Sequence, residues 1–173
     1  MKRKPAPGKS VDSSIALLNR QRTRRIDSLQ LRRIVRHLLK EMTPARDFDI
    51  VIHVINATEM TRLNENFLQH AGSTDVITFD HRETVRKSRV ATTIHGELFV
   101  CVDDAIAQAR EFKTNWQSEV VRYIVHGVLH LLGYDDLKPQ LRRTMKREEN
   151  RLVRLLADRF ALAQLARTGK ISA

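Results

Sequence analysis

The stretch from Ser118 to Leu132 constrains the fold more than any other part of the chain. Val121, Ile124, Val125, Val128, Leu129 and Leu132 make it apolar nearly all round, and a helix that is apolar on every side has to be buried. Burying it takes other elements on several sides, so such a helix is a centre around which the rest of the chain folds. Two polar side chains, His126 and His130, interrupt it. Their spacing puts them on one face, about 5–6 Å apart at Cβ. Gly133 then ends the helix, and Asp135 and Asp136 follow in the turn.

Two imidazoles on one helical face can share a tetrahedral ion at ~2.0–2.1 Å from each nitrogen. The turn at Gly133 can bring a carboxylate from Asp135 or Asp136 to the same ion. Two His and one carboxylate leave a fourth position open, the arrangement of a catalytic zinc site. The competing reading makes both histidines core residues bonded to backbone and Gly133 a simple cap. Each buried imidazole needs a polar partner, and the turn with its acids meets that need best around one metal ion. In HExxH proteases a Glu beside the first His acts as general base. That place is Gly127 here, which cannot move a proton, so peptide hydrolysis by that route is disfavoured.

The other patterns predict an α+β fold, a small mixed β-sheet flanked by helices, with the metal site at the end of the central buried helix. Ser28 to Lys40 carries Leu29, Ile34, Leu38 and Leu39 at helical spacing, with Asp27 or Ser28 as cap and Pro44 past its end. Asp49 to Asn56 is β-branched and reads as a buried strand. A short helix from Thr58 through Phe67 stops near Gly72. Asp75–Phe79 and Glu97–Val102 give two further strands, and the polar run from His81 to Thr93 connects them as a loop or hairpin. Asp103 is placed to cap a helix through Phe112. Pro139 starts a last, strongly basic helix through Leu165, with Leu141, Met145, Leu152, Leu155 and Leu156 on its apolar side.

A chain of 173 residues supports one domain. That domain is expected over residues 26–165, between a basic, partly disordered N-terminal tail over 1–25 and a C-terminal tail over 166–173. Within the first tail, Met1 to Ser10 reads as solvated chain, whereas Ser14 to about Arg25 fits either an early strand or a ragged start. The basic N-terminus has no apolar segment behind it and does not read as a secretory signal. No apolar run approaches the ~20 residues that span a bilayer, so no membrane is expected. Cys101 is the single cysteine, which excludes an intrachain disulfide and suits a reducing, cytoplasmic setting.

With these residues assembled, the chain resembles the YbeY family of bacterial metal-dependent endoribonucleases, associated with ribosomal RNA maturation. The family's His-Gly-x-Leu-His-Leu-x-Gly-Tyr-Asp-His run is matched from His126 to Asp135. Leu63-Asn64 followed by Thr74-Asp75-Val76-Ile77-Thr78-Phe79 resembles its Leu-Asn segment and Thr-Asp-Val-Leu-Ser-Phe stretch. Gly96-Glu97-Leu98-Phe99-Val100-Cys101, with Ala105 and Gln108-Ala109, resembles its Gly-Asp-Ile-x-Ile-Ser strand and helix. The resemblance spans about Asp49 to Asn150. It implies one Zn²⁺ ion on His126, His130 and, in place of the family's third His, Asp136. A carboxylate binds zinc at ~2.0–2.2 Å, so the swap is compatible with a site; its negative charge should raise the pKa of bound water. The family's cleft-facing Arg aligns with Leu68, and Arg62, His81 or Arg82 are the nearby groups that could replace it. Cys101 reads as a buried strand residue rather than a ligand. His37 and His53 read as structural or surface, and His95 could reach the cleft.

The chain has 31 basic against 20 acidic residues, a net charge of +11, which favours a polyanionic partner. Lys138, Arg142, Arg143, Lys146, Arg147, Arg151, Arg154 and Arg159 line the last helix, against Glu148, Glu149 and Asp158. This is either a solvated helix face laced with ion pairs or a surface that tracks RNA phosphates. Aromatic content of 5% argues against a stacking platform for single strands. Together with the resemblance, ribosomal RNA or a pre-ribosomal particle is the expected partner. The resemblance implies a single-strand-specific, zinc-dependent endoribonuclease of late small-subunit rRNA processing and ribosome quality control. Two other classes compete: a non-catalytic RNA-binding ribosome-assembly factor retaining a structural zinc, and a hydrolase of another substrate class.

Overall fold

The computed structural model describes residues 13–43, 47–81 and 94–166. Its strands β1 (Ser14–Asn19), β2 (Phe48–Ile55), β3 (Val76–Asp80) and β4 (Ile94–Cys101) form one sheet in the order β1-β2-β4-β3. β1, β2 and β4 run parallel, and β3 pairs antiparallel with β4 at the edge. The helices among the described residues are α1 (Ser28–Met42), α2 (Ala57–Leu63), α3 (Val102–Glu111), α4 (Trp116–Leu131) and α5 (Pro139–Arg159). α2 continues as a π-helical turn over Asn64–Leu68, and a 3-10 turn over Leu162–Leu165 follows α5. This is the α+β architecture that the sequence patterns predict, a mixed sheet with helices packed on it.

Strand alternation divides the sheet into two faces. Ile50, Ile52, Val54, Leu98 and Val100 point to the main core, where they meet Ile34, Leu38, Val125, Val128 and Leu129 of α1 and α4. Ile55, Ile77, Phe99 and Cys101 point the other way and form a smaller cluster with Met60 of α2. α4 touches α1, α3, α5, β3 and β4; eleven of its residues are buried, as an all-round apolar helix requires.

Several local expectations change in the tertiary context. Part of the segment assigned to the N-terminal tail is β1, whose Ile15 and Leu17 are buried and whose backbone pairs with β2 from Ser14↔Asp49 to Asn19↔Val54. The folded unit therefore begins before residue 26. Leu29, expected on the apolar side of α1, is exposed, and Leu31 and Val35 complete the inward stripe with Ile34, Leu38 and Leu39. The cap of α1 is Asp27, which accepts from Gln30 N at 2.9 Å. Asp103 does not cap its own helix, which already begins at Val102. Its Oδ2 instead accepts the Ala57 N–H at 2.8 Å, satisfying a free donor at the start of α2.

The last helix also stops short of Leu165. Phe160 is extended at its C-cap, and Leu162 and Leu165 turn inward. Leu165 O accepts from Asp27 N, and Ala166 bridges Ile26, so docking beside the start of α1 outweighs continuation of the helix. The expectations for Met1–Ser10, Pro44 and residues 167–173 lie outside the described residues. So does the connection expected from His81 to Thr93, apart from His81, whose N–H extends the β3–β4 pairing to His95 O at 2.9 Å.

Candidate metal centre

Two glycines let α4 lie directly on the sheet. A Cβ at Gly127 would sit 2.5 Å from Leu98 Cδ2 and 3.0 Å from Thr78 Oγ1. A Cβ at Gly96 would sit 2.6 Å from Leu131 Cδ2 and 2.7 Å from the Phe79 carbonyl oxygen. A larger residue at either place would have to displace these atoms, at Gly96 a backbone oxygen among them. Gly127 thus has a packing reason that sequence inspection, looking there for a general base, did not supply.

The end of α4 is built to turn the chain back over its own histidines. Gly133 adopts φ +91°, a conformation open to glycine without a Cβ penalty. Its N–H donates to His130 O at 2.9 Å, and that of Tyr134 to Leu129 O at 3.0 Å, the paired bonds of a Schellman cap. Asp135 Oδ1 then accepts from Leu137 N at 3.0 Å, and Arg142 Nε donates to Asp136 O at 2.9 Å. These bonds aim the Asp136 carboxylate at α4 while α5 begins.

His126, His130 and Asp136 each offer one ligand atom, and the three atoms lie within 4.8 Å of one another. The two Nε2 atoms are 3.1 Å apart, and Asp136 Oδ2 lies 3.8 Å from His126 Nε2. Ligand atoms ~2.0–2.1 Å from a tetrahedral ion are roughly 3.3–3.4 Å apart. The other ring nitrogens are already engaged. His130 Nδ1 lies 3.1 Å from Tyr134 O, which can only accept, and His126 Nδ1 lies 3.1 Å from Glu149 Oε2. Both rings therefore carry their proton on Nδ1, and in neutral imidazoles two bare Nε2 lone pairs face each other. A cation between them resolves that conflict, and the donor set fits a divalent metal.

Glu149 is the functional residue that sequence reasoning missed. In the sequence it is one of three acids set against the cations of the last helix, but in the structure it is 3% exposed. It lies on the inward stripe of α5 with Met145, Leu152, Val153 and Leu156. Burial pushes its carboxyl up; bonds to His126, Lys146 and Arg122 outweigh that and hold it down at about 2. Ionised, it fixes the tautomer of His126, as outer-shell carboxylates do for metal-bound imidazoles. Helical periodicity carries the signal: an acid four residues after Met145 and three before Leu152 falls on the apolar side.

Two hollows meet at His126 and Asp75. One, of ≈470 Å³, lies between α3, α4 and α5 and is lined by His126, Asp136, Glu149, Arg122, Arg142 and Lys146, among others. The other, of ≈330 Å³, runs along Asp75–Asp80 at the β3 edge and is lined by Leu68, His126 and His130. Leu68 thus faces the site, at the end of the π-helical turn. Arg62 lines neither hollow, and Arg82 lies outside the described residues. His81 and His95 are not in the cleft: His81 Nε2 lies 3.4 Å from Glu97, and His95 Nε2 lies 3.7 Å from Asp49. His95 fails to reach the cleft because strand alternation sends it to the face opposite Gly96 and α4. His53 is stacked on Phe99 at 4.2 Å and bonded to Glu97, a structural role. Cys101 is buried in the smaller cluster, and burial, with Asp104 beside it, pushes its thiol up to about 12.

Comparison with known proteins gives a consistent result. The family described as endoribonuclease YbeY matches residues 16–157. An endoribonuclease YbeY of Salinibacter ruber is 35% identical over 131 residues, 74% of this chain and 82% of that protein. One from Kineococcus radiotolerans is 30% identical over 150 residues, 85% of this chain and 82% of that protein. Among solved structures, the solution structure of TM1509 from Thermotoga maritima is similar in fold. Its TM-score is 0.61 at 22% identity, covering 91% of this chain and 99% of that one.

Proposed function

The chain belongs to the endoribonuclease YbeY family, and from that premise we propose that it is a zinc-dependent endoribonuclease of ribosomal RNA maturation. The ion is held by His126, His130 and Asp136. The observation that carries this reading is the pair of Nε2 atoms 3.1 Å apart, each on a ring whose Nδ1 is engaged elsewhere. Imidazole with a carboxylate suits zinc. When bound, such an ion lowers the pKa of a water in its open position to ~7 and draws charge from a phosphoryl oxygen.

The chain's own residues supply the rest. Glu149 and the Tyr134 carbonyl hold the two imidazoles in register, and the Schellman turn with Arg142 delivers Asp136. Gly127 offers no proton-transferring group, which speaks against peptide as substrate. The exposed cations of α5 form a surface suited to RNA backbone, with affinity that falls steeply with salt. Ribosomal RNA or a pre-ribosomal particle is the partner in this reading. Single-strand specificity, late small-subunit processing and ribosome quality control belong to the same reading. So does a cytoplasmic setting, where the buried Cys101 stays a thiol. No helix among the described residues is long and apolar enough to cross a membrane.

One observation favours a second reading. The hollow along β3 is lined by Leu68 and by no Lys or Arg among the described residues, as suits an RNA-binding assembly factor whose zinc is structural. The test is incubation of metal-replete protein with structured ribosomal RNA beside a His130→Ala control. Cleavage by the parent protein alone supports the nuclease. Cleavage by neither favours the assembly factor, and equal cleavage by both removes the assigned site from the reaction.

A further inference from the structure

Resting on the nuclease reading, we propose that Arg142 is a phosphate-binding residue of the reaction, gripping the scissile phosphodiester beside the metal ligands with the free end of its guanidinium. Three cations line the larger cleft together with His126 and Asp136, and they are not equivalent. Arg122 Nη1 is spent on Glu149 Oε1 at 2.6 Å and Asn150 Oδ1 at 2.8 Å. Lys146 Nζ gives one of its three N–H bonds to Glu149 Oε1 at 2.7 Å and, as a point charge, offers no bidentate fork. Arg142 uses only Nε, on the Asp136 carbonyl at 2.9 Å. Its two terminal nitrogens have no protein partner among the described residues.

That single bond does two things. It restrains a long, exposed side chain, which then loses less rotamer freedom on gripping a ligand. It also ties the guanidinium to the residue whose carboxylate is the third metal ligand, so the free fork and the ion are fixed relative to each other. Arginine's terminal nitrogens match two oxygens of one phosphate, a bidentate geometry that lysine cannot reproduce. Asp75, Asp104, Glu111 and Glu119 also line this cleft and repel an anion. A phosphate is therefore held in this cleft only where a cation such as Arg142 offsets them. Across the histidines the wall is Leu68, which offers no charge. Positive charge for the transition state therefore comes from the α5 side, where a positioned donor is worth about 10²–10³ in rate.

The test uses full-length protein at saturating zinc, a fluorescent 2′-O-methyl oligoribonucleotide for affinity and an unmodified RNA for turnover. Arg142→Gln and Arg142→Lys are compared with Arg33→Gln, which removes the same charge from an exposed position on α1, away from the cleft and from the α5 surface. Arg142→Gln is expected to weaken the oligonucleotide about tenfold and to lower kcat about 10²-fold, with Arg142→Lys in between. Arg33→Gln should stay within about twofold, since it acts only through the screened field. Equal effects of Arg142→Gln and Arg33→Gln would overturn the proposal. So would a weaker zinc affinity for Arg142→Gln with unchanged oligonucleotide binding at zinc saturation, because Arg142 would then only prop the Asp136 turn. If the parent protein binds the oligonucleotide through Arg142 but cuts no RNA, the nuclease reading fails and the phosphate site stands.

Discussion

Replacing Glu149 by Gln keeps the side-chain volume and removes one charge from the point where His126, Arg122 and Lys146 converge. The carboxyl is held at about 2 rather than 4.5, which corresponds to ~3 kcal/mol of folding free energy at neutral pH. The side chain is 4% exposed, so solvent screening takes little from that figure. Because the folded pKa is the lower one, the contribution is complete above the unfolded value and disappears as pH falls through about 2. Glu149→Gln should therefore cost the metal-free protein about 2–3 kcal/mol at pH 7. That appears as a drop in melting temperature of roughly 4–12 °C for a chain of this size. The gap to the parent protein should narrow on acidification below pH 4, to roughly half its neutral value at pH 3. Zinc affinity should fall about 10–100-fold, as for other lost outer-shell partners, because Gln no longer fixes His126 with a charge. Urea unfolding with chelator at pH 7 and pH 3 reads the first effect, and competition against a chromophoric chelator reads the second. An unchanged urea midpoint together with a zinc affinity within twofold of the parent would refute both the role of Glu149 and the tautomer argument.

Asp136→Ala should lower zinc affinity at least tenfold, whereas Asp136→His should retain the ion on three imidazoles; full occupancy in a metal-replete Asp136→Ala sample would remove Asp136 from the ligand set. Gly127→Ala places a methyl 2.5 Å from Leu98 Cδ2 and should destabilise the fold by about 1–3 kcal/mol through overpacking. A parental urea midpoint for that variant would show that α4 does not need its close approach to the sheet. Cys101, with its thiol pushed up to about 12, should resist aromatic disulfide reagents at pH 8 in the folded state. It should react within the dead time in urea; fast labelling of folded protein would place it near the surface.

Much of this protein is legible from one helix. The all-round apolar character of Ser118–Leu132 and the four-residue spacing of His126 and His130 announce a buried helix with a metal-capable face, because both properties are local and periodic. Gly133 likewise declares the turn, since few other residues tolerate φ +91°. What the sequence could not determine are relations between elements distant in the chain. Glu149 looks like one more surface charge until α5 packs on α4 and brings it to His126, 23 residues away. Asp103 reads as a cap of its own helix, yet it satisfies Ala57. Ser14–Asn19 has too weak a period to declare itself, and becomes a strand because β2 offers it a parallel ladder. Arg142 is one of many cations until its Nε meets the Asp136 carbonyl. Local periodicity records which face of an element is buried; only the folded chain decides which buried or charged group meets which, because hydrogen bonds and ion pairs act over a few ångströms whatever the separation along the sequence.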